Sequence, residues 1–126
     1  MDAEGRLAAA TSTGGTSFSH PARVGDTPFI GAGNYADEVA AVSATGIGEA
    51  IMKSCLSVRC ADLVRGGVTP QEAAEKAVEL LYERTGGTAG LVVVDARGRI
   101  GVAYCTERMA YGSFTSEKGI ALPSIV

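Results

Sequence analysis

Residues 90–106 have the sequence GLVVVDARGRIGVAYCT, and this stretch gives the strongest indication of the fold. Two runs rich in β-branched and apolar residues, 91–95 and 99–106, lie on either side of a three-residue connection that contains Gly98. Such runs favour extended backbone, and glycine suits a hairpin connection that needs a positive φ. The sequence therefore predicts a β-hairpin over residues 91–106.

Two helices are predicted before this hairpin. Residues 47–65 carry apolar side chains at helical spacing on two stripes, which predicts one largely buried helix. Residues 69–84, TPQEAAEKAVELLYER, begin with Thr69 as a candidate N-cap and with proline in the first helical position. Glu72 completes the pattern of a capping box, so the start of the second helix is well defined.

Two further strands are predicted at residues 6–11, RLAAAT, and 39–45, VAAVSAT, with a long irregular loop over 12–35 between them. The resulting order of elements predicts an α+β fold in one domain spanning residues 1–126. In this arrangement, two helices pack on one face of a sheet of about four strands. The other sheet face also carries apolar side chains, so we expect a second sheet to cover it.

The composition argues against several classes of function. The formal net charge is −3 and the eleven Lys and Arg are scattered, which predicts no nucleic-acid partner and no membrane-binding surface. The first residues lack the cationic region of a signal peptide, so we expect a cytoplasmic protein. The single histidine and the three cysteines, without a CxxC motif, predict no metal site, no disulfide scaffold and no cofactor.

Two polar segments are candidates for a ligand site. Arg23 and Asp26 lie three residues apart in the loop. This spacing suits either a local salt bridge or a clamp for an amino-acid head, in which the guanidinium binds a carboxylate and the aspartate binds an ammonium. Residues 43–50, SATGIGEA, suit either a tight strand-to-helix turn or a set of backbone N–H groups that face an oxyanion. His20 in the same loop is typical of a solvated side chain.

Three motifs follow one another at close spacing: TSTGG at 11–15, RVGDTPFIGAGNYAD at 23–37 and AVSATGIGE at 41–49. With them the sequence resembles the β subunit of the plant-type L-asparaginase and isoaspartyl peptidase family, which are N-terminal nucleophile (Ntn) hydrolases. Gly14 favours this branch over the similar glycosylasparaginases, which typically carry asparagine there. The resemblance implies half of an αββα sandwich and hydrolysis of L-asparagine or β-aspartyl dipeptides.

The resemblance also implies roles in substrate binding. Arg23 matches the arginine that grips the substrate α-carboxylate, and Asp26 matches the aspartate that accepts the α-ammonium. Gly48 matches a glycine whose carbonyl faces the same amine. Ala22 departs from the family pattern, because a glycine commonly precedes the arginine.

Three more matches imply catalytic roles. Thr13 matches the threonine whose hydroxyl helps to orient the nucleophile. Thr45 and Gly46 match the hydroxyl and the backbone N–H of the oxyanion hole. The nucleophile itself, in this family, is a threonine that begins the β subunit and uses its own α-amine as base. Thr11 and Thr13 are internal, so we expect the nucleophile to be missing from this chain.

The expected protein is therefore a truncated β subunit with little activity by itself. The alternatives are a non-catalytic binding or assembly module, a glycosylasparaginase relative, or a start codon assigned too far downstream. The expected partners are an α-subunit-like half of the same family or a second copy of this chain, which implies an oligomer, together with a small amino-acid or dipeptide substrate.

Overall fold

The computed structural model describes residues 1–121 and has an α+β fold. Its elements, in chain order, are β1 Asn34–Ala36, β2 Ala40–Gly46, α1 Gly48–Ser54, α2 Leu56–Arg65, α3 Pro70–Thr85, β3 Ala89–Asp95, β4 Ile100–Tyr104, β5 Ser113–Thr115 and β6 Gly119–Ala121. The last five residues of the predicted single domain, 122–126, lie outside the described range.

The first four strands form one antiparallel sheet in the order β1-β2-β3-β4. The hairpin predicted from residues 90–106 is confirmed as β3 and β4, and Gly98 has φ +75° at its turn. Val42 lies opposite Val93 on one face of the sheet, whereas Val92 lies opposite Val102 on the other. The alternation along each strand thus gives the sheet two distinct faces.

One sheet face carries the hydrophobic core. The helices α2 and α3 pack on it, and the side chains between them and the sheet are small or aliphatic: Val42, Ala44, Leu56, Cys60, Ala77, Leu81, Leu91 and Val93. The predicted start of the second helix is confirmed. Thr69 caps α3 and Glu72 completes the capping box.

The single helix predicted over 47–65 is wrong in one respect, because the structure breaks it into α1 and α2 at Cys55. This exposed residue has φ 48°, in the left-handed region. The break lets the first amides of α2 bond to the loop before β1: Ser57 N–H donates to Ala32 O and Val58 N–H to Gly31 O. Apolar residues recur at the same helical spacing whether residues 47–65 form one continuous helix or two consecutive ones, so the sequence pattern did not reveal the break.

The predicted strand at 6–11 is also wrong. Over the described range 1–121 this segment joins no sheet, and its hydrogen bonds with β2 join Ser43 Oγ to the Thr11 side chain and to the Ala10 carbonyl instead. Conversely, β1 and the hairpin of β5 and β6 were not predicted. They are three residues long each, too short for periodicity to distinguish from loop.

The second sheet face is apolar, as predicted, and is only partly covered. Val92 and Ile100 are 37% and 41% exposed there. The segment 8–10 and Phe114 border a cavity of about 390 Å³ on this face. The expectation that a second sheet covers it stays a prediction. The pattern of one sheet with helices on one face is consistent with half of the αββα sandwich.

No helix within residues 1–121 is long and apolar enough to cross a membrane.

Candidate active site

The loop after residue 11 and the end of β2 border a cavity of about 680 Å³, which we call the site cavity. Its lining includes Thr13, Arg23, Asp26, Thr45 and Gly46. A second cavity of about 370 Å³ adjoins it and shares all of these residues except Arg23. Both volumes suit a small ligand. Five of the six residues singled out from the sequence thus lie around one hollow.

Gly48, the sixth residue, lies between Arg23 and Asp26. A Cβ atom on Gly48 would lie 2.8 Å from Arg23 Nη2 and 2.9 Å from Asp26 Oδ1. The guanidinium and the carboxylate therefore approach one another across a space that glycine leaves free. This space is open only while residue 48 has no side chain.

Asp26 is held in place by its backbone. Its carbonyl oxygen accepts hydrogen bonds from Phe29 N–H at 3.0 Å and from Gly33 N–H at 3.2 Å, which docks the turn after the loop against the start of β1. The side chain is buried, and Oδ2 has no hydrogen-bond partner among the described residues. A buried carboxylate oxygen without a donor is costly, so a cationic ligand group bound to this carboxylate would offset part of the cost.

Arg23 pairs with Glu49, at the start of α1, in a two-pronged ion pair. Nε donates to Glu49 Oε1 at 2.8 Å and Nη2 donates to Oε2 at 3.1 Å. Over residues 1–121 the local salt bridge with Asp26, one of the two alternatives, does not form. The hydrogen bonds from Arg23 lower the pKa of Glu49 from 4.5 to about 2. The same bonds raise the pKa of Arg23, so both groups are charged at neutral pH.

Thr45 and Gly46 end β2 on the side of the cavity. Ala44 N–H donates to Gly33 O, on the side of the sheet occupied by β1. Because backbone groups alternate along a strand, the N–H of Gly46 points to the same side, toward the cavity. Gly46 has φ +135°, and Ile47 N–H bonds to Thr88 O at 2.9 Å immediately after it. The sheet therefore aims one amide and one hydroxyl-bearing residue at the hollow.

The threonine segment borders the opposite side. Thr13 accepts a hydrogen bond from Gly15 N–H at 3.1 Å. Thr11 bonds to Ser43 Oγ at 2.8 Å and to Gly33 O at 3.2 Å, which ties the segment to β2. The placement of the six residues agrees with the roles implied by resemblance, and the roles themselves stay predictions.

Comparison with known proteins identifies the family. A family model described as asparaginase matches residues 1–121. A plant-type L-asparaginase from Pyrobaculum calidifontis is 52% identical over 114 residues, covering 89% of this chain and 38% of that relative. The chain belongs to the asparaginase family.

Animal relatives of this asparaginase-family chain have broader names. A probable isoaspartyl peptidase/L-asparaginase from Drosophila melanogaster is 41% identical over 114 residues, covering 89% of this chain and 34% of the relative. An isoaspartyl peptidase/L-asparaginase from Danio rerio is 43% identical over 114 residues, covering 90% of this chain and 37% of the relative. The chain therefore spans little more than a third of the length of the curated relatives it matches.

Sequence reasoning assigned no role to Glu49, Thr11 or Ser43 in this asparaginase-family site. Glu49 was visible as the last letter of AVSATGIGE, but an acidic residue in the first turn of a helix is common and has a simple explanation in the helix dipole. Thr11 and Ser43 are 32 residues apart. No local pattern indicates such a pair, so only the folded chain reveals it.

Proposed function

We propose that this chain is the β-subunit-like part of an enzyme that hydrolyses L-asparagine or β-aspartyl dipeptides. The observation that supports it best is the placement of opposite charges, Arg23 and Asp26, on either side of Gly48. Arg23 and Asp26 both line the site cavity, and Asp26 turns Oδ1 toward the space beside Gly48, as a site for an α-amino acid head requires. The names of the relatives, L-asparaginase and isoaspartyl peptidase, agree with a substrate of this class.

In this proposal the substrate lies with its α-carboxylate on Arg23 and its α-ammonium on Asp26, near the carbonyl of Gly48. The side-chain amide then points toward the end of β2. Thr45 Oγ and the N–H of Gly46 stabilise the oxyanion that forms when the amide carbonyl is attacked. Thr13 orients the attacking hydroxyl.

The nucleophile is proposed to be an N-terminal threonine that lies outside this sequence. Its α-amine takes the hydroxyl proton as the oxygen attacks the carbonyl, and the proton passes to the leaving ammonia or amine. The β-aspartyl ester that remains is hydrolysed by water, which releases aspartate and restores the threonine. The 126-residue chain by itself is expected not to hydrolyse asparagine, and measurable turnover by a pure sample would contradict this.

The partner is proposed to be an α-subunit-like half of the same family or a second copy of this chain, in a cytoplasmic oligomer. The exposed apolar sheet face, with Val92 and Ile100, supports such a partner, because an uncovered face of this kind favours association. Sedimentation of the chain alone and with a matching half would distinguish the two.

Calorimetric titration with L-aspartate tests the site directly. The unmutated chain should release or absorb heat on binding, and Arg23→Ala should abolish it, because the α-carboxylate loses its guanidinium. Arg84→Ala is the matched control, since it removes one positive charge at an exposed position near the end of α3. Succinate, which lacks the ammonium, should bind much more weakly than L-aspartate. Equal heats for the unmutated chain and for Arg23→Ala would overturn the proposed site.

A further inference from the structure

The segment 12–25, which we call the site loop, makes few hydrogen bonds to the rest of the described chain. Its hydrogen bonds are local: Ser19 N–H donates to Thr16 O, Arg23 N–H to His20 O, and Ala22 N–H to His20 Nδ1. Within residues 1–121, the pair of Arg23 with Glu49 is the one hydrogen-bonded contact from this loop to another part of the chain. The position of Arg23 over the cavity therefore depends on Glu49.

The pair uses one edge of the guanidinium and leaves another free. Glu49 takes the N–H of Nε and one N–H of Nη2, so among the described residues both N–H groups of Nη1 and the second of Nη2 remain without an acceptor. Two glycines border these free donors. A Cβ atom on Gly25 would lie 3.2 Å from Nη1, and one on Gly48 would lie 2.8 Å from Nη2. The two residues beside the free edge therefore carry no side chain that would cover it.

Glu49 does not line the site cavity, whereas Arg23 and Gly25 do. Its side chain is 53% exposed, against 19% for Arg23. It therefore acts on a ligand through Arg23. A pair this exposed contributes little to the free energy of unfolding. Its effect should appear in ligand binding instead, because an arginine fixed in advance loses less side-chain entropy on binding.

We propose that Glu49 is a positioning residue that holds Arg23 by its Nε–Nη2 edge, so that the Nη1–Nη2 edge faces the ligand α-carboxylate. This inference rests on the proposed function, in which Arg23 binds that carboxylate. Glu49 has a second consequence for specificity. Together with Asp26 it gives the cluster of Arg23, Asp26 and Glu49 a net negative charge, which disfavours a dicarboxylate without an ammonium and favours a ligand that carries one.

The test compares Glu49→Gln with Glu79→Gln in the full 126-residue chain. Glu79 is an exposed residue of α3, so its substitution makes the same change in charge away from the cavity. Titration with L-aspartate should give an affinity weaker by about fivefold to tenfold for Glu49→Gln, the range for one long side chain left unfixed. Glu79→Gln should bind as the unmutated chain does. The preference for L-aspartate over succinate should narrow in Glu49→Gln alone.

A spectroscopic measurement separates positioning from a general structural effect. In the unmutated chain, the NMR signal of Arg23 Nε–H should exchange with water more slowly than that of the exposed Arg84. In Glu49→Gln its exchange should become fast, while the melting temperature stays close to that of Glu79→Gln. The measurement on the unmutated chain tests the role of Glu49 even if a variant does not fold, because it needs only the Arg23 Nε–H signal of the unmutated chain.

The outcomes separate the two proposals. L-Aspartate binding that Arg23→Ala abolishes but Glu49→Gln leaves unchanged would overturn the role of Glu49 alone. Fast exchange of Arg23 Nε–H in the unmutated chain would overturn it as well. Equal heats for the unmutated chain and Arg23→Ala would overturn the proposed function and the positioning role with it.

Discussion

The two walls of the site cavity are built in different ways. The strand wall consists of Thr45 and Gly46 at the end of β2, where neighbouring backbone leaves no spare space around Gly46. The loop wall consists of residues 12–25, which are mostly exposed and reach the rest of the described chain through one ion pair. The site therefore depends on backbone packing at its strand wall and on one carboxylate, that of Glu49, at its loop wall.

The largest expected effect follows from adding a side chain to the strand wall, at Gly46. A Cβ atom on Gly46 would lie 2.5 Å from Ala89 Cα, and φ +135° is unfavourable for any residue with a side chain. Gly46→Ala should therefore reduce the free energy of unfolding by about 3 kcal/mol, measured by urea denaturation. Gly14→Ala is the control on the loop wall, where no atom of residues 1–121 lies within 4 Å of the added methyl group. Similar losses for both variants would remove the contrast between the walls.

The next effect concerns the point where the two walls meet. Gly48→Ala would place a methyl group 2.8 Å from Arg23 Nη2, 2.9 Å from Asp26 Oδ1 and 3.2 Å from the backbone nitrogen of Asp26, and of these the end of the Arg23 side chain can shift most easily. The affinity for L-aspartate should fall by about tenfold or more, because the ligand head needs the same space. The loss in stability should stay below that of Gly46→Ala, since alanine is the better helix former. Unchanged calorimetric affinity would show that the ligand does not enter between these two groups.

The smallest expected effect is a change in the pKa of Glu49, which tests the ion pair that holds the loop wall. The pKa of Glu49 is about 2 because of its hydrogen bonds with Arg23. Since this value is lowered in the folded state, the contribution to stability is present above pH 4.5 and is lost as the pH falls toward 2. The NMR signal of the Glu49 carboxyl carbon should therefore titrate near pH 2 in the unmutated chain and closer to 4.5 in Arg23→Ala. Identical midpoints in the two proteins would contradict the ion pair.

Local sequence patterns predicted those elements whose residues interact with near neighbours. The hairpin of β3 and β4 depends on two adjacent runs and one glycine, and the start of α3 depends on Thr69 and Glu72, three residues apart. The break at Cys55 was missed because it depends on contacts of α2 with Gly31 and Ala32. Thr11 was predicted in a strand because an apolar run does not reveal whether a partner strand is in place.

The sequence by itself determined which chemical groups are present and, through three motifs, the family to which they belong. Arg23, Asp26 and the Thr45–Gly48 corner could be named because their spacing along the chain is short. Tertiary structure decided which carboxylate holds Arg23. Glu49 lies 26 residues away, and α1 brings it to the guanidinium while the turn before β1 buries Asp26. Ion pairs form between groups that are near in space, and a linear pattern does not record that distance.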